Sequence, residues 1–117
     1  MPFPIYRYEG TITIKPGEPV ILTIDFPENG TAATHEIDLP GPDDMEGYNE
    51  IEDTIAQGSD LIDDRVIIWT KAFNVDSGLK DVKVNYLINR ETILEHSNKK
   101  SEDETPQIKL TLSFIKA

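Results

Sequence analysis

The chain has 117 residues, 38% of them hydrophobic and 28% charged, which is typical of a globular protein and fits one domain over residues 1–117. Its formal net charge at pH 7 is −11, and fourteen of the 22 Asp and Glu residues lie between Glu18 and Asp64, a range without Lys or Arg, so neither nucleic acid nor an anionic membrane is an expected partner. Without cysteine the chain has no disulfide, no thiolate nucleophile and no Cys-based metal site.

Alternation of apolar and polar residues predicts strands in the first third of the chain. The segments 5–14, 19–26 and 33–39 each place their apolar residues on one parity. Pro16 and Gly17 occupy the central positions of a predicted type II turn. Asn29–Gly30 is typical of the type I′ turn that closes a β-hairpin, and this is the strongest hairpin signal in the sequence.

The acidic segment 41–64 contains nine carboxylates and no Lys or Arg. Met45, Tyr48, Ile51 and Ile55 are spaced as one face of a helix, and Gly58 is a residue type that often ends one. We therefore expect at most one short helix near 48–57. An irregular edge strand is the alternative.

From residue 65 the strand pattern returns. In the segment 65–75 we assign Ile67, Trp69 and Phe73 to the core side, with Trp69 as a candidate core tryptophan between two sheets. Residues 76–78 predict a three-residue hairpin connection with Gly78 in the left-handed conformation. A strand over 79–89 follows, then a tight turn at Asn89–Arg90 that leads to a strand over 91–96, and later a last strand over 107–116.

Seven strands with one polar face each predict antiparallel sheets whose apolar faces cover one another. The expected fold class is all-β: a two-layer antiparallel β-sandwich of immunoglobulin-like architecture. A half-open barrel is the alternative.

The acidic segment offers oxygen ligands for a calcium ion. The candidate metal ligands are Asp43, Asp44, Asp60, Asp63 and Asp64. However, the alternating carboxylate order of an EF-hand loop is absent, so a solvated acidic connector is the favoured interpretation. The predicted binding residues in the same segment are Glu46, Tyr48, Glu50, Glu52 and Asp53.

His35 and His96 are the only imidazoles. We expect His35 to be a hydrogen-bonded strand residue and His96 to be exposed at the start of a polar loop. Neither a nucleophile elbow nor a phosphate-binding loop is present, so the chain is expected not to be an enzyme and to need no cofactor, with calcium as the one open possibility.

These observations favour a small non-catalytic binding or assembly module whose acidic surface contacts a partner protein with a basic surface. Homo-oligomers are expected to form through strand edges such as the first or the last strand. The alternative is a calcium-dependent sandwich that binds a ligand such as a carbohydrate, although only Tyr48 is left for an exposed aromatic platform. Because the first residues lack a secretory pattern, the expected location is the cytoplasm.

Overall fold

Two β-sheets pack face to face in the computed structural model, which describes residues 5–28, 30–42 and 44–117. The strands are β1 (Ile5–Ile14), β2 (Pro19–Asp25), β3 (Thr31–Asp38), β4 (Met45–Tyr48), β5 (Ile51–Gln57), β6 (Arg65–Val75), β7 (Asp81–Ile88), β8 (Glu91–Lys99) and β9 (Gln107–Lys116), and helix α1 (Gly58–Leu61) lies between β5 and β6. Sheet 1 has the order β1-β9-β6-β3-β4, and sheet 2 has the order β5-β2-β7-β8. No helix in the described ranges is long and apolar enough to cross a membrane.

The predicted all-β, two-layer sandwich is confirmed, and the described residues form nine strands instead of the predicted seven. Neighbouring strands are antiparallel except β1 and β9, which are parallel. The two packed sheets agree with the predicted immunoglobulin-like architecture, but the order of the strands does not. Unlike the last two strands of an immunoglobulin domain, β8 and β9 lie in different sheets.

Alternate residues of the strands form the core between the sheets, as the sequence predicts for five of the strands. Ile14 of β1 and Ile37 of β3 are buried, and the residues of the other three strands are Val20, Leu22 and Ile24 in β2, Val82, Val84, Tyr86 and Ile88 in β7, and Ile108, Leu110, Leu112 and Phe114 in β9. Complete burial of one such aliphatic side chain contributes about 1.5–3 kcal/mol, so these positions hold the layers together.

The inward parity of β6 is opposite to the prediction. Its buried residues are Val66, Ile68, Thr70 and Ala72, whereas Trp69 is only partly buried and Phe73 is 54% exposed. Both parities of this strand are apolar, so alternation alone does not determine its inner face. The interior favours the smaller set because Tyr86 of sheet 2 reaches across the layer and places its hydroxyl oxygen 2.6 Å from Thr70 Oγ1.

Two predicted hairpins are instead crossings between the sheets. β2 and β3 lie in different sheets, as do β6 and β7, so neither pair forms a hairpin. Asn29 lies outside the described residues; Gly30 has a φ of 106°, and a Cβ there would meet the Asp76 side chain. Gly78 does not have the predicted positive φ, and neither does Gly17, so the turn in which the Glu18 N–H donates to the Lys15 carbonyl is not type II.

The predicted turn at Asn89–Arg90 is confirmed as the hairpin between β7 and β8. Its two residues have φ values of 50° and 68°, which is typical of a type I′ turn. Asn89 Oδ1 also accepts a hydrogen bond from the Ile21 N–H at 2.8 Å. This contact ties the hairpin to the neighbouring strand β2.

The acidic segment folds as edge strands, and the predicted helix near 48–57 is wrong. β4 and β5 occupy this region, and Asn49 between them has a φ of 59°, which is incompatible with a continuous helix. Asn49 also ties this turn to β3, because the Asn49 N–H donates to the Ala33 carbonyl and Asn49 Oδ1 accepts from the Ala33 N–H. The short helix starts at Gly58, the residue predicted to end it.

The sheet edges are β1 and β4 in sheet 1 and β5 and β8 in sheet 2. The prediction that the last strand is an edge is wrong, because β9 pairs with β1 on one side and with β6 on the other. The first strand is an edge, as expected.

Candidate functional site

A groove of about 400 Å³ lies on the outer face of sheet 1, over β3 and between β4 and β6. We refer to it as the groove. Its lining side chains project from the face opposite the core, and they are Thr34, Glu36, Glu46, Tyr48, Trp69, Lys71 and Gln107. Tyr48 is 65% exposed, the largest exposure among the large hydrophobic residues of the described chain. The groove therefore offers aromatic, charged and neutral polar groups to solvent.

One row of residues crosses the sheet through the groove. Glu46 of β4 pairs with Glu36 of β3, Glu36 pairs with Trp69 of β6, and Trp69 pairs with Lys109 of β9. Arg7 of β1 continues the row beyond Lys109. The row thus runs from two carboxylates through an indole ring to two cations, so the charge on this face changes sign at the tryptophan.

Glu36 and Glu46 lie directly opposite each other on antiparallel strands, and both side chains are exposed. Like charges at such positions repel and destabilise the sheet. Within the described ranges the ion pairs are Lys83–Glu28 and Arg90–Glu52, so neither groove carboxylate has a cation bound to it. This end of the row keeps its negative field.

The indole of Trp69 already attracts an ammonium group. Lys109 Nζ lies 5.3 Å from the ring centroid, within the range of a cation–π interaction. Lys109 lies on β9, on the side of Trp69 away from β3, and does not line the groove. On the β3 side the ring is next to Glu36.

A buried hydrogen-bond chain supports the floor of the groove. His35 Nε2–H donates to the Asn49 carbonyl at 2.7 Å, and His35 Nδ1 accepts from the Thr70 hydroxyl at 2.9 Å. The Tyr86 hydroxyl in turn donates to Thr70 Oγ1. Burial lowers the pKa of His35 and raises the pKa of Tyr86, so both are neutral and every proton of the chain has an acceptor. The chain fixes Asn49 and, through it, the position of β4.

The contact between Thr70 and His35 has the residue types of a nucleophile and its base. However, Thr70 is only 1% exposed, and its hydroxyl is engaged by both His35 and Tyr86. The geometry therefore assigns these groups a structural role beneath the groove.

His96 is buried, and the prediction that it is exposed is wrong. β8 continues to Lys99 and places His96 on the inner face of sheet 2, where it is 1% exposed. The Tyr8 hydroxyl donates to its Nδ1, and its Nε2–H donates to Asn98 Oδ1, both at 2.7 Å. Burial lowers the pKa of His96. This histidine joins the edge strands β1 and β8 on the side of the sandwich away from the groove.

Three of the predicted calcium ligands accept hydrogen bonds from backbone N–H groups close to them in the chain. Asp44 Oδ1 accepts from the Leu39 N–H, Asp60 Oδ2 from the Gln57 N–H, and Asp64 Oδ1 from the Arg65 N–H. Asp63 has a φ of 65° in the turn after α1, and Asp43 lies outside the described residues. No three His, Asp or Glu side chains in the described part of the chain lie close enough to hold a metal ion.

Two of the five predicted binding residues line the groove, and three lie elsewhere. Glu46 and Tyr48 are in the groove. Glu50 accepts a hydrogen bond from the Phe26 N–H, Glu52 forms an ion pair with Arg90, and Asp53 is exposed on β5 of sheet 2.

The sequence prediction missed three charged or aromatic residues of the groove. They are Glu36, Trp69 and Lys71, and the neutral side chains of Thr34 and Gln107 were missed as well. The available signal was the lysine between Trp69 and Phe73, because a charged residue marks the solvent side of a strand.

Comparisons of the chain with protein-family models, with curated proteins and with solved structures find no match. The groove is consequently the main basis for assigning a function.

Proposed function

We propose that this protein is a non-catalytic binding module and that the groove binds a basic segment of a partner protein. The observation that supports this function best is the 65% exposure of Tyr48 in a groove that it shares with the partly buried Trp69 and the Glu36–Glu46 pair. A folded chain gains nothing in stability by exposing such rings to water, whereas tryptophan and tyrosine are the side chains that contribute most to protein–protein binding.

The charge of the chain agrees with a basic partner. A net charge of −11 attracts a cationic segment over distances up to about 10 Å at moderate salt and raises the association rate. The carboxylates of the groove add a local negative field next to the rings of Tyr48 and Trp69.

The shape of the groove suits an extended segment. β4 has four residues and forms the edge of sheet 1, so the groove is open on that side. An extended segment that lies over the groove, parallel to β3, turns alternate side chains toward this face of the sheet. Self-association through the edges β1 and β8 remains a separate proposal, and light scattering at increasing protein concentration tests it.

Site-specific photo-crosslinking in the native cells tests the proposed function. A photoreactive amino acid replaces Tyr48 in the groove or, as a control, Glu95, which is exposed on β8 of sheet 2. We expect a specific protein adduct from position 48 that is lost in Trp69→Ala and absent from position 95. Equal adducts from both positions, or none from position 48, would contradict the proposal.

Carbohydrate binding is a second candidate, and the outward position of Trp69 supports it. The exposed ring of Tyr48 and the partly buried ring of Trp69 share the groove with the Thr34 hydroxyl and the Gln107 amide, and these are the types of group that stack on sugars and hydrogen-bond to them. Titration with neutral oligosaccharides tests this candidate. Saturable binding of an uncharged sugar that is insensitive to salt would favour it over a basic protein segment.

A further inference from the structure

We infer that one cationic side chain of the partner, a lysine or an arginine, is the anchor in the groove and lies between the indole of Trp69 and the carboxylates of Glu36 and Glu46. This inference rests on the proposed function and specifies the chemistry of its ligand. It assigns a recognition role to three residues that lie in one row across three adjacent strands.

The spacing of the row suits one cationic group. Neighbouring strands lie about 4.7–4.9 Å apart, so Glu36 is about one strand spacing from both Glu46 and Trp69. Side chains in such a row are within contact distance of their neighbours on the same face. Both carboxylates can therefore reach a cation that lies over β3 beside the indole.

Each of the three groups favours a positive ligand. The two glutamates repel each other in the free protein, and a cation between them removes that repulsion. The indole face attracts cations, as the 5.3 Å approach of Lys109 Nζ shows within the chain itself. An anionic anchor at the same position would meet two carboxylates.

Lys71 extends the inference to a second position of the ligand. It lies in the neighbouring row, where it pairs with Thr34 on one side and with Gln107 on the other. Residues two apart on one strand are separated by about 7 Å, so Lys71 lies at that distance along β6 from Trp69. An extended segment with a cationic residue at one position and an acidic residue two positions later matches both charges.

Intrinsic fluorescence gives a direct test, because Trp69 is the only tryptophan in the chain. The native protein is titrated at low salt with short capped peptides of the pattern Ser-Lys-Ser-Glu-Ser. Peptides with Arg, norleucine or Glu in place of Lys, and a neutral oligosaccharide, are the comparison probes. The variants are Glu36→Gln with Glu46→Gln, and a control pair, Asp53→Asn with Glu95→Gln, which removes the same charge from exposed positions outside the groove.

We expect saturable changes in Trp69 emission with the Lys and Arg peptides. The affinity for the norleucine peptide should be at least about fivefold lower, and the affinity for the Glu peptide lower still. The groove pair should lose at least about fivefold in affinity for the Lys peptide, and the control pair less than about twofold. No saturable response to the Lys and Arg peptides up to millimolar concentration, or equal losses in both variant pairs, would overturn the inference.

The same titration separates this inference from the proposed function. If the oligosaccharide or the Glu peptide binds in the groove and the cationic peptides do not, the cationic anchor is wrong. The protein-binding function then depends on whether photo-crosslinking from position 48 gives its specific adduct. If neither experiment detects binding in the groove, both proposals fail.

Discussion

Ile68 and Trp69 are adjacent in β6 and lie on opposite faces of sheet 1. Ile68 is completely buried in the core, whereas Trp69 lines the groove and is only partly buried. The larger of the two hydrophobic side chains is thus the one that contacts solvent. This arrangement links the fold to the candidate site, because the strand that centres sheet 1 also presents the tryptophan.

Truncation of these two neighbours should have very different effects on stability. Ile68→Ala removes buried methyl groups and leaves a cavity, so we expect a loss of about 2–5 kcal/mol in the free energy of unfolding. Trp69→Ala should cost less, about 1 kcal/mol, because only part of the indole is buried. Urea unfolding followed by circular dichroism measures both. A larger loss for Trp69→Ala than for Ile68→Ala would place the tryptophan in the core.

The hydrogen-bond chain beneath the groove predicts which of two substitutions lowers the free energy of unfolding more. Thr70→Val leaves both His35 Nδ1 and the Tyr86 hydroxyl without partners in the interior, so we expect a loss of about 2–4 kcal/mol. Tyr86→Phe removes one donor while Thr70 still donates to His35, so its cost should be about 1 kcal/mol. Urea unfolding measures both losses. A larger loss for Tyr86→Phe than for Thr70→Val would contradict the hydrogen-bond chain.

Stability should decrease as the pH falls below about 6.5. Burial lowers the pKa of His35 and of His96 in the folded protein, so the unfolded chain, with a histidine pKa of about 6.5, binds more protons in this range. The histidine contribution is complete above the unfolded pKa and is lost progressively as the pH falls toward the lower folded pKa. Each pKa unit of difference corresponds to about 1.4 kcal/mol.

Urea midpoints at about pH 7.5 and about pH 5.5 measure this dependence. His96→Gln and His35→Gln cannot take up the proton, so each should show a smaller difference between the two midpoints than the parent chain. A difference that stays the same in both variants would show that other groups cause the pH dependence.

Calcium should not stabilise the protein. The carboxylates of Asp44, Asp60 and Asp64 each accept a backbone N–H of their own turn and do not converge on one point. We expect equal melting midpoints in millimolar calcium and in chelator. A higher midpoint with calcium that saturates would indicate a specific site, because a ligand that binds only the folded state raises its stability.

The sandwich could be predicted because the alternation of apolar and polar residues within a single strand shows which face of that strand is buried. Strands such as β2, β7 and β9 have one apolar and one polar parity, and the hydrophobic effect then allows one inner face. In β6 both parities are apolar, and the choice depends on the contact between Tyr86 and Thr70, which are 16 residues apart and lie in different sheets. Alternation within one strand contains no information about such a contact.

The turn signals show the same limit. Positive φ values at Asn89–Arg90 produce a hairpin, whereas the Gly30 turn sends the chain to the other sheet. A turn motif specifies the local backbone and not the sheet that the next strand joins. The groove was only partly predictable for this reason. Glu46 and Tyr48 belong to the acidic segment, and the register of β3, β4 and β6 brings Glu36 and Trp69 to them.

Acrylamide quenching of Trp69 in the native protein tests the central claim most directly, since no other tryptophan contributes to the emission. If the indole lines an open groove, its emission is that of a solvent-accessible tryptophan, and acrylamide quenches it efficiently before any unfolding occurs. An emission shifted to shorter wavelength and protected from acrylamide until the chain unfolds would place Trp69 in the core and contradict the groove.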